Sequence, residues 1–141
     1  MVWMVLTGLA LSVASPAWAS VGRIKSVARA ASIVRGNTTL PAAPGTPVEA
    51  GDVLITGKSG RLGLTFIYNT RFALLGDSKV TITEFKYDRS RISGTFVASV
   101  SRGRVGIVSG TIAKSGKDAM RVKTPTTLLG VRGTRFLVEV K

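Results

Sequence analysis

Gly57-Lys58-Ser59 is the stretch of this chain whose spacing comes nearest to a chemical motif, the tail of a phosphate-binding loop. That loop requires a further glycine six positions before the lysine and a helix opening at the lysine. Position 52 is an aspartate, and Gly60 with an alternating strand pattern follows, so a polar turn is the better reading. A serine nucleophile needs a base. Histidine and cysteine are both absent, which removes the commonest general base, the commonest neutral metal ligand and any disulfide or thiolate site. A lysine base would need a desolvated pocket. No Ser-x-x-Lys pattern follows Ser20, and Lys58, Lys79 and Lys86 sit among polar neighbours. Of the seven acids, Asp52, Asp77 and Asp88 read as turn residues, and Glu84, Asp118 and Glu139 stand beside basic residues. No pair suited to glycosidase chemistry is legible. The expectation is a chain that is not an enzyme, with no cofactor and no metal.

Charge speaks for binding instead. Twenty Lys and Arg against seven Asp and Glu give a formal net charge of +13, all of it beyond residue 19. Such a balance favours anionic lipid, acidic polymer, acidic protein or nucleic acid, although a solvated basic surface accounts for it equally well. Nucleic-acid binding on a sheet calls for exposed aromatics among cations. Phe66 shares parity with Leu62 and Leu64 and reads as core, leaving Tyr87 in Lys86–Arg91 as the aromatic embedded in charge. Nucleic acid is therefore not expected as a partner.

The elements that position these residues are strands. After Ser20, short runs rich in Val, Ile, Thr and Phe alternate, with glycines punctuating them. That pattern reads as an all-β, single domain of short antiparallel strands, sandwich-like or a short β-solenoid. Gly22–Val27 and Ser32–Arg35 are the first expected strands. Residues 37–47, with three prolines and a glycine, read as a loop. Gly51 suits a positive φ, and Asp52 suits a hydrogen bond to the backbone just beyond it. Arg61–Tyr68 and Arg71–Leu75 read as a hairpin turning at Asn69-Thr70, with Leu62, Leu64 and Phe66 on one face. Gly76-Asp77-Ser78 makes the next turn and Val80–Phe85 the next strand, with Val80 and Ile82 inward. Lys86–Arg91 reads as a polar connection. Thr95–Ser101 and Arg104–Ile112 read as a strand pair about Arg102-Gly103, or Gly103 as a bulge. Met120–Thr124 and Thr134–Val140, joined by residues 125–133, complete the domain.

The beginning of the chain reads as an export signal. Residues 1–19 carry no charge, Val5–Ala14 is apolar, and Pro16 precedes Ala17-Trp18-Ala19. The apolar run has about the length of a signal h-region and the small residues of a cleavage site, and it falls short of the roughly 20 residues that span a bilayer. Cleavage is expected after Ala19, leaving residues 20–141 as the domain. No Lys or Arg precedes the apolar run, which leaves room for a start upstream of Met1.

Three segments together resemble the FecR-domain proteins. Gly51, Asp52, Thr56 and Gly57 lie in Ala50–Gly57, which is similar to that family's Gly-Asp stretch. Leu62–Leu75, followed by Gly76 and Ser78 about Asp77, resembles its strand pair and turn, with Asn69-Thr70 where the family commonly has Asp-Gly. Thr124 and Pro125, then Gly130, Arg132, Gly133, Thr134 and Phe136, resemble its closing signature. The resemblance implies an all-β domain in the periplasm, or alternatively secreted or at the cell surface. In the family's best-known members this domain belongs to regulators that relay iron-siderophore receptor occupancy. It thus implies an envelope protein as partner, an outer-membrane receptor or membrane regulator, with anionic lipid or polymer as the charge-based alternative. The motif residues also have a structural reading: Gly133 serves a backbone need, and Arg132 pairs with a carboxylate such as Asp52 to pin the last strand.

Overall fold

Alternation of apolar and polar residues is carried through into twelve strands. The computed structural model describes residues 20–66, 69–88, 93–110, 113, 119–131 and 135–140. The strands are β1 (Gly22–Ala28), β2 (Ala31–Arg35), β3 (Thr38–Pro41), β4 (Pro47–Val48), β5 (Val53–Thr56) and β6 (Arg61–Phe66). They continue with β7 (Arg71–Leu74), β8 (Lys79–Asp88), β9 (Ser93–Val108), β10 (Met120–Lys123), β11 (Leu128–Gly130) and β12 (Arg135–Val140). The order across the sheet is β3-β2-β5-β8-β9-β7-β6-β1-β4. Off that path, β10 pairs β9 and β11, and β12 pairs β9. Every pairing is antiparallel except β9 with β10, which run parallel.

The two ends of this path are brought together by the chain that joins them. The amide of Ile24 donates to the Thr46 carbonyl at 3.0 Å, Gly45 returns a bond to Ile24, and Ala42 donates to Ala31. The sheet therefore curls into an antiparallel half-barrel, the arrangement that the sandwich and solenoid expectations approximated. Its concave side holds the core. Leu62, Leu64 and Phe66 of β6, Phe72 and Leu74 of β7, and Val80 and Ile82 of β8 are all buried, as strand parity requires. Phe66, Phe72, Phe85 and Phe96 form an aromatic knot, with Phe66 edge-on to both Phe72 and Phe96 at 5.0 Å between ring centres. Phe85 meets Phe96 at 4.9 Å. Such edge-to-face pairs add to the burial of the rings themselves.

Strand β9, sixteen residues long, holds the layers together. Its first half lies between β8 and β10, and its second half between β7 and β12. Gly103 marks the passage with φ +93°. The expected pair of strands about Arg102-Gly103 is thus one bent strand, and the bulge-like role of Gly103 is the part that holds. A glycine bends the strand while keeping both flanks paired, where a tight turn would have broken them apart.

Three further differences follow from backbone pairing. β3 occupies part of the expected 37–47 loop, β11 part of the expected 125–133 connection, and β8 runs through Asp88 into the expected polar connection. β3 and β11 are short strands at margins of the sheet, and β8 continues because β9 stays paired with it as far as Ser93. The Asn69-Thr70 turn holds as expected: Asn69 is left-handed at φ 66°, and the Phe66 amide reaches the Thr70 carbonyl at 2.7 Å. A Cβ on Gly103 would overlap Ser78, and its φ disfavours any side chain. Gly103→Ala is expected to lower unfolding free energy by about 2–4 kcal/mol, read from urea melts. Gly106→Ala, whose Cβ would meet nothing nearer than 3.9 Å, serves as the tolerated control.

Candidate functional site

Gly51 and Asp52 form the turn before β5. Gly51 has φ +93°, and its amide donates to the Ile82 carbonyl at 2.6 Å, tying the turn to β8. Asp52 is 1% exposed, so its carboxylate must find partners within the protein. Arg35 supplies two hydrogen bonds, Nε to Oδ1 at 3.0 Å and Nη2 to Oδ2 at 2.8 Å. The amide of Glu49 adds a third at 2.9 Å. The aspartate caps the residue three before it, correcting the expectation that it bonds beyond itself. Arg35 also donates to the Pro47 carbonyl at 3.1 Å and lies 3.2 Å from the Glu49 carboxylate. Hydrogen bonding to Asp52 raises the Arg35 guanidinium above its ordinary pKa, against a lowering by burial, and the Asp52 and Glu49 charges add to the rise. One side chain thus clamps the end of β2, the Asp52 turn and β4. Arg132, expected as a partner of Asp52, lies with Gly133 and Thr134 outside the described residues; among the described residues Arg35 and the Glu49 amide bond the carboxylate.

Thr56, Gly57, Gly76 and Ser78 meet in a second buried knot. The Thr56 hydroxyl donates to the Leu75 carbonyl at 2.8 Å and accepts from the Ser78 amide at 3.0 Å. The Thr56 amide bonds the Ser78 carbonyl, and the Asp77 amide bonds the Gly57 carbonyl at 2.8 Å. The Ser78 hydroxyl donates to Leu75 at 2.7 Å and lies 3.2 Å from both the amide and the carbonyl of Arg104. A Cβ on Gly76 would run into the Lys58 carbonyl. Gly57-Lys58-Ser59 is therefore the polar turn expected of it, closed by a Gly60-to-Gly57 backbone bond. These motif residues fix the bend of β9 from beneath, and Gly103 completes the contact.

The closing segment makes a third arrangement. Thr124 and Thr127 exchange backbone and hydroxyl bonds across Pro125, turning β10 into β11. Gly130 pairs with Arg121, Val131 bonds back to Met120, and Phe136 packs half-buried against the core. Strand β11 pairs only with β10, and β12 only with β9, among the described residues. Between these open edges runs a groove of about 600 Å³, lined by Thr124, Thr127, Leu129, Val131, Leu137 and Glu139. Leu128, Leu129 and Leu137 stand 58%, 42% and 61% exposed. A single exposed leucine is ordinary, but three beside two unpaired edges mark a contact surface.

No group of three or more potential metal-ligating side chains occurs among the described residues, and none of their helices is long and apolar enough to cross a membrane. The family model described as FecR protein matches residues 52–141. The chain belongs to the FecR protein family. That match takes in the Asp52 turn, the Thr56–Ser78 knot and the closing segment, whereas Arg35 lies before it. FecR membership relates the chain in general to signalling and regulation and to the cell envelope. Comparison with curated proteins and with solved structures returns no significant match.

Reasoning from the sequence missed Arg35, whose partner lies seventeen residues away, and the two sheet margins. An arginine closing a strand just before a glycine was the available signal for the first. Arg35→Ala leaves a buried carboxylate short of two bonds, and a loss of about 2 kcal/mol is expected in denaturant melts. Thr56→Val, which keeps the shape and deletes both hydroxyl bonds, is expected to cost about 1–3 kcal/mol.

Proposed function

We propose that the chain is an exported, non-enzymatic interaction module of the bacterial envelope, which signals or scaffolds by receiving a strand of a partner protein at the margins β11 and β12. The observation that carries this reading is that β11 and β12 each pair with a single strand among the described residues, on either side of a groove lined by Leu129 and Leu137, with Leu128 exposed beside it. An added strand would satisfy the free backbone groups and cover the leucines together, the usual economy of recognition by β-augmentation. FecR membership supports a regulatory setting, with an outer-membrane receptor or membrane regulator as the natural class of partner. Export rests on the uncharged apolar run ending at Ala17-Trp18-Ala19, which lies outside the described residues. A periplasmic domain that begins at Ser20 follows from it.

A second reading is attachment to anionic envelope lipid or polymer. It is favoured by the +13 charge and by arginines gathered on the convex side of β6, β7, β9 and β12. Salt separates the two, since exposed charge contacts are screened over about 8 Å at physiological ionic strength and strand pairing is not. The envelope protein captured by the wild-type chain is expected to survive a high-salt wash, and Leu128→Asp with Leu129→Asp is expected to abolish its capture while circular dichroism is unchanged. Equal capture by the variant would remove the β11 margin from the reading. Expression of the full chain with N-terminal sequencing of the envelope fraction is expected to find Ser20 first, and an intact Met1 in the cytosol would refute export.

A further inference from the structure

On the convex face of β1, β6, β7, β9 and β12, strand register sorts five arginines into two lines. Arg23 lies opposite Thr65, Thr65 opposite Arg71, Arg71 opposite Val108, and Val108 opposite Arg135. Cations thus occur on β1, β7 and β12, every second strand. With strands about 4.8 Å apart, their spacing is about 10 Å. Four residues along the strands is the second line, with Arg61 on β6 and Arg104 on β9, again two strands apart. The two lines stand about 13 Å from each other. Between them the register runs Ser26, Gly63, Ala73, Gly106, Leu137, and Gly63, Ala73 and Gly106 floor an open depression of about 820 Å³ that Arg71, Arg135 and the exposed bulge residue Lys25 border.

All five arginines are exposed, and none has an ion-pair partner among the described residues. The acids are engaged elsewhere: Asp52 and Glu49 on Arg35, Asp77 on Arg102, and Glu84 on Lys86. Glu139, opposite Arg104, is the one acid of this face among the described residues. A surface that keeps its like charges together and unneutralised is complementary to an anion of matching pattern.

We propose that this face binds a linear acidic polysaccharide carrying one carboxylate per disaccharide, laid across the strands between the two arginine lines. The proposal deepens the charge-based reading and is separable from the strand-addition reading, whose Leu128 and Leu129 on β11 lie outside this face. The geometry selects among polyanions. Single-stranded nucleic acid stacks its bases on aromatic side chains, and the floor here is Gly63, Ala73 and Gly106. An anionic membrane surface draws apolar and aromatic groups among the cations, and this face offers chiefly the rim residue Leu137. An extended acidic peptide repeats a side of its chain every 6.6 Å or so, out of step with cations about 10 Å apart. That advance is of the order of one disaccharide in an extended glycan. Arginine forks bind carboxylates in pairs of hydrogen bonds, while Ser26, Thr65 and Glu139 offer partners to sugar hydroxyls.

The test is calorimetric titration of the purified chain with hyaluronan octasaccharide, an alternating glycan with a carboxylate on every second sugar. Binding is expected at low salt, weakened at least about tenfold by Arg71→Gln with Arg104→Gln. Lys86→Gln with Lys123→Gln removes the same charge from the other layer and is expected to change affinity less than about twofold. Gly106→Val changes no charge and fills the floor, so it is expected to weaken binding at least about fivefold with an unchanged melting temperature; Ala73→Leu is the alternative should that variant melt early. Equal losses from both charge pairs, or none from a folded floor variant, would overturn the proposal in favour of unspecific attraction. So would tighter binding to oligo-dT, to an octameric polyglutamate or to phosphatidylglycerol vesicles than to the octasaccharide. The Leu128 and Leu129 variant is expected to bind the glycan normally, so failure of this proposal and failure of the protein-docking reading are separately visible.

Discussion

Strand β9 has to leave one layer of the half-barrel and enter the other while keeping its backbone paired, and the contact between Gly103 and Ser78 is where that becomes possible. The strand bends because Gly103 takes a conformation closed to side chains, and it stays bent because Ser78 fills the space a Cβ would need. Ser78 in turn is held by its hydroxyl on Leu75 and Arg104, and by its amide on Thr56. These are small polar groups in a buried place, so each is costly to leave unpaired. Pairing of β9 with β7, β8, β10 and β12 depends on that bend, and the aromatic knot lies beneath it. The family's small motif residues make physical sense as parts of one joint.

How much of this was legible follows from the range of each interaction. Parity along a strand is local, so the inward faces of β6 and β8 and the left-handed Asn69 turn were readable from neighbouring residues alone. Gly51 was readable for the same reason. The joint was half readable: Gly76, Ser78 and Gly103 stand out as turn or bulge residues, but a sequence does not say that a glycine at 103 rests on a serine at 78. The strand pair anticipated about Gly103 erred because a turn and a bend have the same composition. The Arg35–Asp52 clamp was hidden by its span of seventeen residues. Asp52 was visible as a turn former, and its burial was not. β3 and β11 escaped notice because marginal strands are bound by backbone, which every residue but proline supplies.

The charge distribution separates structure from surface. Acids are few, and the ones that matter to the fold are spent at fixed places: Asp52 and Glu49 under Arg35, and Asp77 beside Arg102. The Asp52 pair is the weighty one, because burial makes an unpaired carboxylate far more costly than an exposed pair is favourable. What remains is a set of exposed arginines with no ion-pair partner among the described residues, concentrated on one convex face. Its members alternate strand by strand, which keeps like charges two strands apart and limits their mutual repulsion.

Two surfaces result, and they differ in what would recognise them. The margins at β11 and β12 present backbone groups and leucines, which answer to shape and strand pairing. The arginine lines answer to spaced negative charge and lose their pull as salt rises. β10, which carries β11, pairs with β9 before its bend, and β12, which borders both surfaces, pairs with it after the bend, so the same joint that closes the core sets where each surface stands. A partner strand on β11 would extend the layer that β9 enters before Gly103, while a polyanion would lie across the layer it enters afterwards. Leu137 and Glu139 of β12 border both surfaces, so a strand added at β11 leaves the arginine lines open, whereas one added at β12 stands beside Arg135 and meets whatever lies there.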